Sequence, residues 1–236
     1  MKIVFRTISL FTLMLAATAA AAEPIAQRLV FALNGSPSEF IAGVREGVAL
    51  QGKINPGVGH ELWMPISAGS DRGASLIVYY DSAEQYADAI AREDANEEWR
   101  AFLARFPADK FPVVFSGLSV GVIRPNLQLA KGGEVQSVLA FELQGPMEDL
   151  VAQVSKGIEL QKSINPGATV ALVAPFMSGE AVNRAAVLTR YANIKEWAQA
   201  RSKMQNSREW SAFIEAFPEE TYPVRYQALA QAVNIH

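Results

Sequence analysis

Residues 47–57 read GVALQGKINPG, and residues 157–167 read GIELQKSINPG, 110 positions later. The match resumes downstream, where Trp99-x-x-Phe102-x-x-x-Phe106-Pro107 is answered by Trp210-x-x-Phe213-x-x-x-Phe217-Pro218. A period this long marks a duplicated domain-sized unit, not a short solenoid repeat. Outward from the quoted segment, identities at offset 110 run from Phe31/Phe141 to Gly69/Gly179. One residue is then inserted in the second copy, and the pairing continues at offset 111. It covers about 28–123 and 138–233.

Each copy reads β-α-β-β-α-β. Leu29–Leu33 is a short apolar strand, and Ser36-Pro37-Ser38-Glu39 starts a helix. Ser36 stands in the capping position, Pro37 suits the first helical position, and Glu39 completes a capping box. Gly145-Pro146-Met147-Glu148 does the same in the second copy. Phe40, Val44 and Val48 recur at spacing four, matched by Leu150, Val154 and Ile158, and form one buried helical stripe. Asn55-Pro56-Gly57 and Asn165-Pro166-Gly167 stop that helix. Proline cannot continue it, and Pro-Gly suits the centre of a type II turn, where the second residue needs φ > 0.

A strand pair follows in each copy: His60–Ile66 with Ser75–Tyr80, and Val170–Phe176 with Ala185–Tyr191. Asp94-x-x-Glu97 and Asn206-x-x-Glu209 read as fresh helix caps, so the segment 82–106 breaks near 93–96. Trp99, Phe102 and Phe106 fall on one helical face and read as core. A last strand, Pro112–Ile123 or Pro223–Val233, closes each unit. One such unit is a ferredoxin-like split with helices on one sheet face only. Its other face needs a cover, and a second sheet of the same shape supplies one. The expected fold is α+β: two ferredoxin-like repeats, 23–127 and 128–236, whose antiparallel sheets pack into one barrel within the chain. Closure inside one molecule is consistent with a monomer.

Residues 1–22 read as a secretory signal. Lys2 and Arg6 form the positive end, Ile8–Ala17 is apolar, and Ala20-x-Ala22 precedes Glu23. The apolar run is short of the ~18–20 residues of a spanning helix. Cleavage after Ala22 is expected, with a periplasmic or secreted mature chain and no membrane partner. The sequence has no cysteine, which excludes disulfides, thiolate chemistry and a lipid-anchored N-terminus. Loss of Lys2 and Arg6 leaves 19 basic against 24 acidic residues, with no basic stripe, which argues against nucleic acid.

The element order, the duplication and the Trp-x-x-Phe helix resemble the dimeric α/β-barrel superfamily, in particular antibiotic-biosynthesis-monooxygenase-like and NIPSNAP-like domains fused in tandem. The resemblance implies a barrel with a possible ligand cavity between its sheets. It implies no single reaction, because such families include cofactor-independent oxygenases, haem-handling enzymes and small isomerases. Haem-degrading members carry an iron-ligating histidine on a helix. Here the only histidines, His60 and His236, fall at a strand start and at the C-terminus. No cofactor and no metal site are expected.

No nucleophile elbow, dinucleotide fingerprint or phosphate loop is present in the sequence. His60 is a candidate base that the second copy replaces with Val170. Differences between the copies point to the other candidates. With Phe31 and Phe141 turned to the helices, the opposite face carries Glu142 where the first copy has Ala32. The same alternation sets Arg190 against Tyr79, and Arg225 and Gln227 against Val114 and Ser116. Glu142, Arg190 and Arg225 are therefore expected to meet in the lumen, with Trp63 and Tyr79 as an apolar wall and Glu61 as a further carboxylate. The leading expectation is a binding module for a small apolar-anionic molecule, held by Arg190, Arg225, Gln227, Tyr79 and Trp63. One rival is a cofactor-independent oxygenase or isomerase acting on a small aromatic or carbonyl compound, with Glu142 or His60 as base. Another is a structural or interaction protein with a filled barrel.

Overall fold

A computed structural model of the protein describes residues 24–68, 73–123, 129–175 and 183–236. The expected signal segment 1–22 and the repeat boundary at 127/128 lie outside these residues. The first repeat runs β1 (Ile25–Ala32), α1 (Pro37–Ile54), β2 (Gly59–Ala68), β3 (Gly73–Tyr80), α2 (Ala83–Ala95), α3 (Glu97–Arg105) and β4 (Val113–Ile123). The second runs β5 (Val135–Glu142), α4 (Met147–Ile164), β6 (Thr169–Pro175), β7 (Arg184–Tyr191), α5 (Ile194–Gln205), α6 (Arg208–Glu215) and β8 (Val224–Val233).

Each repeat forms a four-stranded antiparallel sheet, β4-β1-β3-β2 and β8-β5-β7-β6. The sheets join edge to edge, β2 with β8 and β4 with β6, into one closed barrel. Closure removes all four sheet edges, which would otherwise present unpaired backbone groups. The helices coat the outside. Phe40, Val44 and Val48 of α1 pack with Phe31, Leu62 and Phe111. Leu150 and Val154 of α4 pack with Phe141, Leu172 and Tyr222. No helix among the described residues is long and apolar enough to cross a membrane.

The duplicated segment proves to be the stitching of this outer layer. Gly47 lies under the Phe102 ring, where an added Cβ would come within 2.8 Å of Cζ, and Gly157 lies under Phe213 at the same distance. Asn55 donates to the Ala89 carbonyl at 3.4 Å, and Asn165 to that of Ala200 at 3.5 Å, tying the end of each first helix to the next. The helix stop behaves as expected at Gly57, with φ of 94°; Gly167 does not adopt the left-handed region.

Two details differ from the sequence expectation. Ser36 precedes α1, but its hydroxyl bonds Ser38 Oγ at 2.8 Å instead of a helix N–H, and Glu39 pairs with Lys110. The break after α2 falls within the expected 93–96, but the cap is Asn96, whose Oδ1 accepts from Trp99 N at 2.8 Å, and not Asp94, which is still helical. In the second repeat Ser207 caps α6 in the same way, accepting from Trp210 N at 3.1 Å. In both cases the residue immediately before the helix is the one whose short side chain reaches the third N–H.

Candidate functional site

An eight-stranded barrel is just wide enough for its inward side chains to meet. At the end formed by the starts of β2 and β5, the meeting is polar and complete. The Glu61 carboxylate is fully buried and accepts four hydrogen bonds. Trp63 Nε1 (3.1 Å), Tyr79 OH (2.7 Å) and Arg190 Nη2 (2.9 Å) donate to Oε2, and Ala130 N (2.8 Å) to Oε1. The Arg190 guanidinium also lies over the Trp63 indole, 4.8 Å from the ring centroid.

Ala130 brings the inter-repeat connection into this cluster, and Gly132 and Gly133, at φ of 113° and 89°, turn that connection into β5. Burial pushes the nearby Glu134 carboxyl up. The backbone N–H groups of Lys131, Glu134 and Gly132, together with the Arg190 charge, outweigh it and hold its pKa below the usual range. Trp63, Tyr79, Arg190 and Glu61 are thus brought together as the sequence suggested, but as a sealed ion-pair cluster. A carboxylate ringed by four donors has no oxygen turned to a substrate.

Above this cluster the lumen is open, with a cavity of about 80 Å³. Its walls are mostly apolar, with Val30, Ile77, Val138 and Leu188 among them. Among the described residues, one charged side chain enters it. Arg28, from the middle of β1, donates through Nε to Ser75 Oγ at 2.8 Å and through Nη1 to Tyr226 OH at 2.9 Å. Its guanidinium carbon lies 5.9 Å from the centre of the Phe115 ring. No carboxylate among the described residues pairs with it. Gln136 lines the same space.

Sequence reasoning missed Arg28, Ser75 and Tyr226, although the repeat carried the signal. Their counterparts in the other copy are Val138, Ala186 and Phe115, all apolar or small.

The expected meeting of Glu142, Arg190 and Arg225 does not occur. Arg190 pairs across β5 with Gln136, and Glu142 with Arg184. Six residues of strand separate those positions, about 20 Å at the usual rise. Glu142 instead pairs with Arg225 at the opposite rim, where Arg225 is half exposed. Gln227 is exposed on the outer face, as Arg225 is.

The reason is a β-bulge in each repeat. Val30 faces Phe115 but Phe31 faces Val113, so Val114 is extra; Ala140 faces Tyr226 but Phe141 faces Val224, so Arg225 is extra. An inserted residue flips the alternation beyond it. Phe115 and Tyr226 therefore point inward in place of Ser116 and Gln227.

His60 also lies away from the lumen. It is buried at the β2 start on the helix-facing side, with Nε2 at 2.5 Å from Gln51 Oε1. Gln51 Nε2 donates to Glu93 Oε1 at 2.6 Å, Asn55 Nδ2 donates to the same oxygen at 2.7 Å, and Arg92 Nε donates to Asn55 Oδ1 at 2.7 Å. Because Gln51 offers an acceptor, His60 carries its proton on Nε2. Burial, and then the His236 charge, lower the His60 pKa to about 4. Burial raises that of Glu93, eased by the Gln51 and Asn55 hydrogen bonds. The second repeat has Val170 and Met204 at these two places, and there Gln161 Nε2 donates to Tyr191 OH at 3.1 Å instead.

Neither histidine lies on a helix or lines the cavity, so the residues present do not fit a histidine-ligated haem there. No group of three or more metal-ligating side chains occurs among the described residues.

No family model matches the chain, and no curated protein matches it. Solved structures do. An anthrone oxidase-like protein is similar with a TM-score of 0.62 at 11% identity, over 92% of this chain and 94% of that one. A protein of Fusobacterium nucleatum, provisionally described as a monooxygenase, gives 0.58 at 11% identity over 91% and 94%. A mutant chlorite dismutase from Candidatus Nitrospira defluvii gives 0.54 at 8% identity over 90% and 92%. At these identities the likeness establishes the duplicated α/β-barrel fold.

Proposed function

We propose that the mature protein is an exported binding module that holds a small, largely apolar molecule between its two sheets. The observation that carries this reading is the open lumen above the sealed Glu61 cluster. Protein interiors are close-packed, so an unfilled space lined by aliphatic walls with a few converging polar groups is the usual form of a ligand site. The test is a ligand-observed NMR screen of the purified mature chain with short alkyl probes. Binding to the wild type and its loss in Ala186→Leu, which fills the lumen, is the expected result. Probes that bind both proteins equally would overturn the reading. Export is proposed on the 1–22 segment alone, and mass spectrometry of the secreted chain should show Glu23 as the first residue.

A second reading is a cofactor-independent oxygenase. The monooxygenase-like and anthrone oxidase-like structural neighbours favour it. Against it stands the lumen chemistry: of the assigned bases, Glu142 is ion-paired at the rim and His60 is outside the barrel. Such an oxygenase needs a base to form the substrate anion that reacts with oxygen. Oxygen uptake with an anthrone or a quinol, unchanged in Glu142→Gln and His60→Ala, would leave oxygenase chemistry standing but remove both residues from it.

A further inference from the structure

The geometry points to Arg28 as an anion anchor, and to a short-chain monocarboxylate as the class of ligand it takes. This rests on the reading that the lumen receives a ligand, and adds what that ligand must carry. A guanidinium has five N–H donors in a fixed fork. Arg28 uses one on Nε for Ser75 and one on Nη1 for Tyr226. Both partners are hydroxyls accepting from it, so the protons of Ser75 and Tyr226 remain to be given elsewhere. The two hydroxyls bonded to the guanidinium thus keep a proton to donate, and among the described residues no carboxylate pairs with it.

Arg28 is part-buried in an apolar lumen, where a cation without a counter-charge is less favourable than in water. The contrast with Arg190 is internal to the molecule. At the sealed end the chain supplies Glu61 as counter-ion, whereas a few residues along the same lumen it supplies only hydroxyls. The duplication sharpens the argument. A barrel needing only to be filled is served at the equivalent places by Val138, Ala186 and Phe115. Arg28, Ser75 and Tyr226 come from both repeats, and each is polar in one copy only, yet the fold converges all three on one point.

The planar fork matches a carboxylate bidentately, and the Tyr226 hydroxyl adds a third donor. The walls beyond it are aliphatic, which suits an alkyl tail and opposes a second charge. Size sets the remaining limit. An apolar cavity of about 150 Å³ takes a benzene ring. The 80 Å³ here is about half of that, which suits acids of roughly two to four carbons.

The test is titration of the mature protein with acetate, propionate and butyrate, with propionamide as the neutral match, followed by two-dimensional NMR of lumen residues and of the Arg28 Nε–H. Propionate is expected to bind at least tenfold more tightly than propionamide. Arg28→Met should remove that preference, and Tyr226→Phe, a milder change that keeps the ring, should reduce propionate affinity several-fold. Equal binding of propionate and propionamide, or full propionate binding by folded Arg28→Met, overturns the anchor while leaving the lumen site intact. Chloride binding at Arg28 as tightly as propionate overturns the carboxylate assignment. If neither propionate nor propionamide perturbs lumen residues, and the alkyl probes also fail, the lumen reading itself falls.

Discussion

Acidification should destabilise the fold through His60, whose burial disfavours the charged imidazole. The imidazole is buried, 2% exposed, and its pKa is lowered from 6.5 to about 4. The unfolded chain binds the proton more readily than the folded one. The stability held by a neutral His60 is therefore complete above pH 6.5 and is lost as the pH falls towards 4. The full loss is about 3 kcal/mol and about 2 kcal/mol is already gone at pH 5, by proton linkage. The groups that face this site are Gln51, His236 and, through Gln51, Glu93 with Arg92 behind Asn55. Glu93 acts with the opposite sign, because its pKa is raised: the folded state keeps its proton, which favours the fold at lower pH.

The clean measurement is a difference. Urea unfolding of the wild type and of His60→Val is followed at pH 7 and pH 5. Valine is the residue the second repeat uses at this place. It leaves Gln51 Oε1 without its donor, which costs about 1–3 kcal/mol at both pH values. The drop in stability from pH 7 to pH 5 should be about 2 kcal/mol smaller in the variant. Glu93→Gln should show the reverse, a larger drop than the wild type. If wild type and His60→Val lose the same stability over this step, His60 is not held neutral and the argument from burial fails.

Three further outcomes follow from the geometry. Glu61→Gln leaves the part-buried Arg190 without its Glu61 counter-charge and should cost about 3 kcal/mol in urea unfolding, with part of the loss recovered in Glu61→Gln/Arg190→Met; a cost below about 1 kcal/mol would place the pair among solvated surface bridges. Gly47→Ala gains about 1 kcal/mol of helix preference but drives a methyl into Phe102, at about 1–3 kcal/mol, so it should be neutral to destabilising. Gly52→Ala, where nothing lies within 4 Å, should stabilise, and equal gains at both sites would refute the contact. Asn96→Ala removes the α3 cap and should cost about 1 kcal/mol, read as faster amide exchange at Trp99.

The alternation of a strand can be followed from one residue to the next, and by itself it puts Glu61, Trp63, Tyr79 and Arg190 on the inner face. It failed for Arg225 and Gln227. A bulge leaves no mark in a run such as Val113-Val114-Phe115 or Val224-Arg225-Tyr226, and each bulge moved the inward position by one. Arg28 escaped notice although its counterpart Val138 was in plain view. An isolated arginine on a short strand reads as a solvated edge until the second sheet is laid over it.

The INPG repeat, the helical stripes and the β-α-β-β-α-β order are local patterns, written in neighbours three, four or two residues apart, and for that reason the chain alone determined the duplication and the ferredoxin-like units. The contacts that make a site are of another kind. Glu61 meets Arg190 across 129 residues, and Arg28 meets Tyr226 across 198. Each pair joins one repeat to the other, so it exists only once the barrel has closed. Which charges are neutralised and which is left facing an open lumen was decided by that closure and by two bulges.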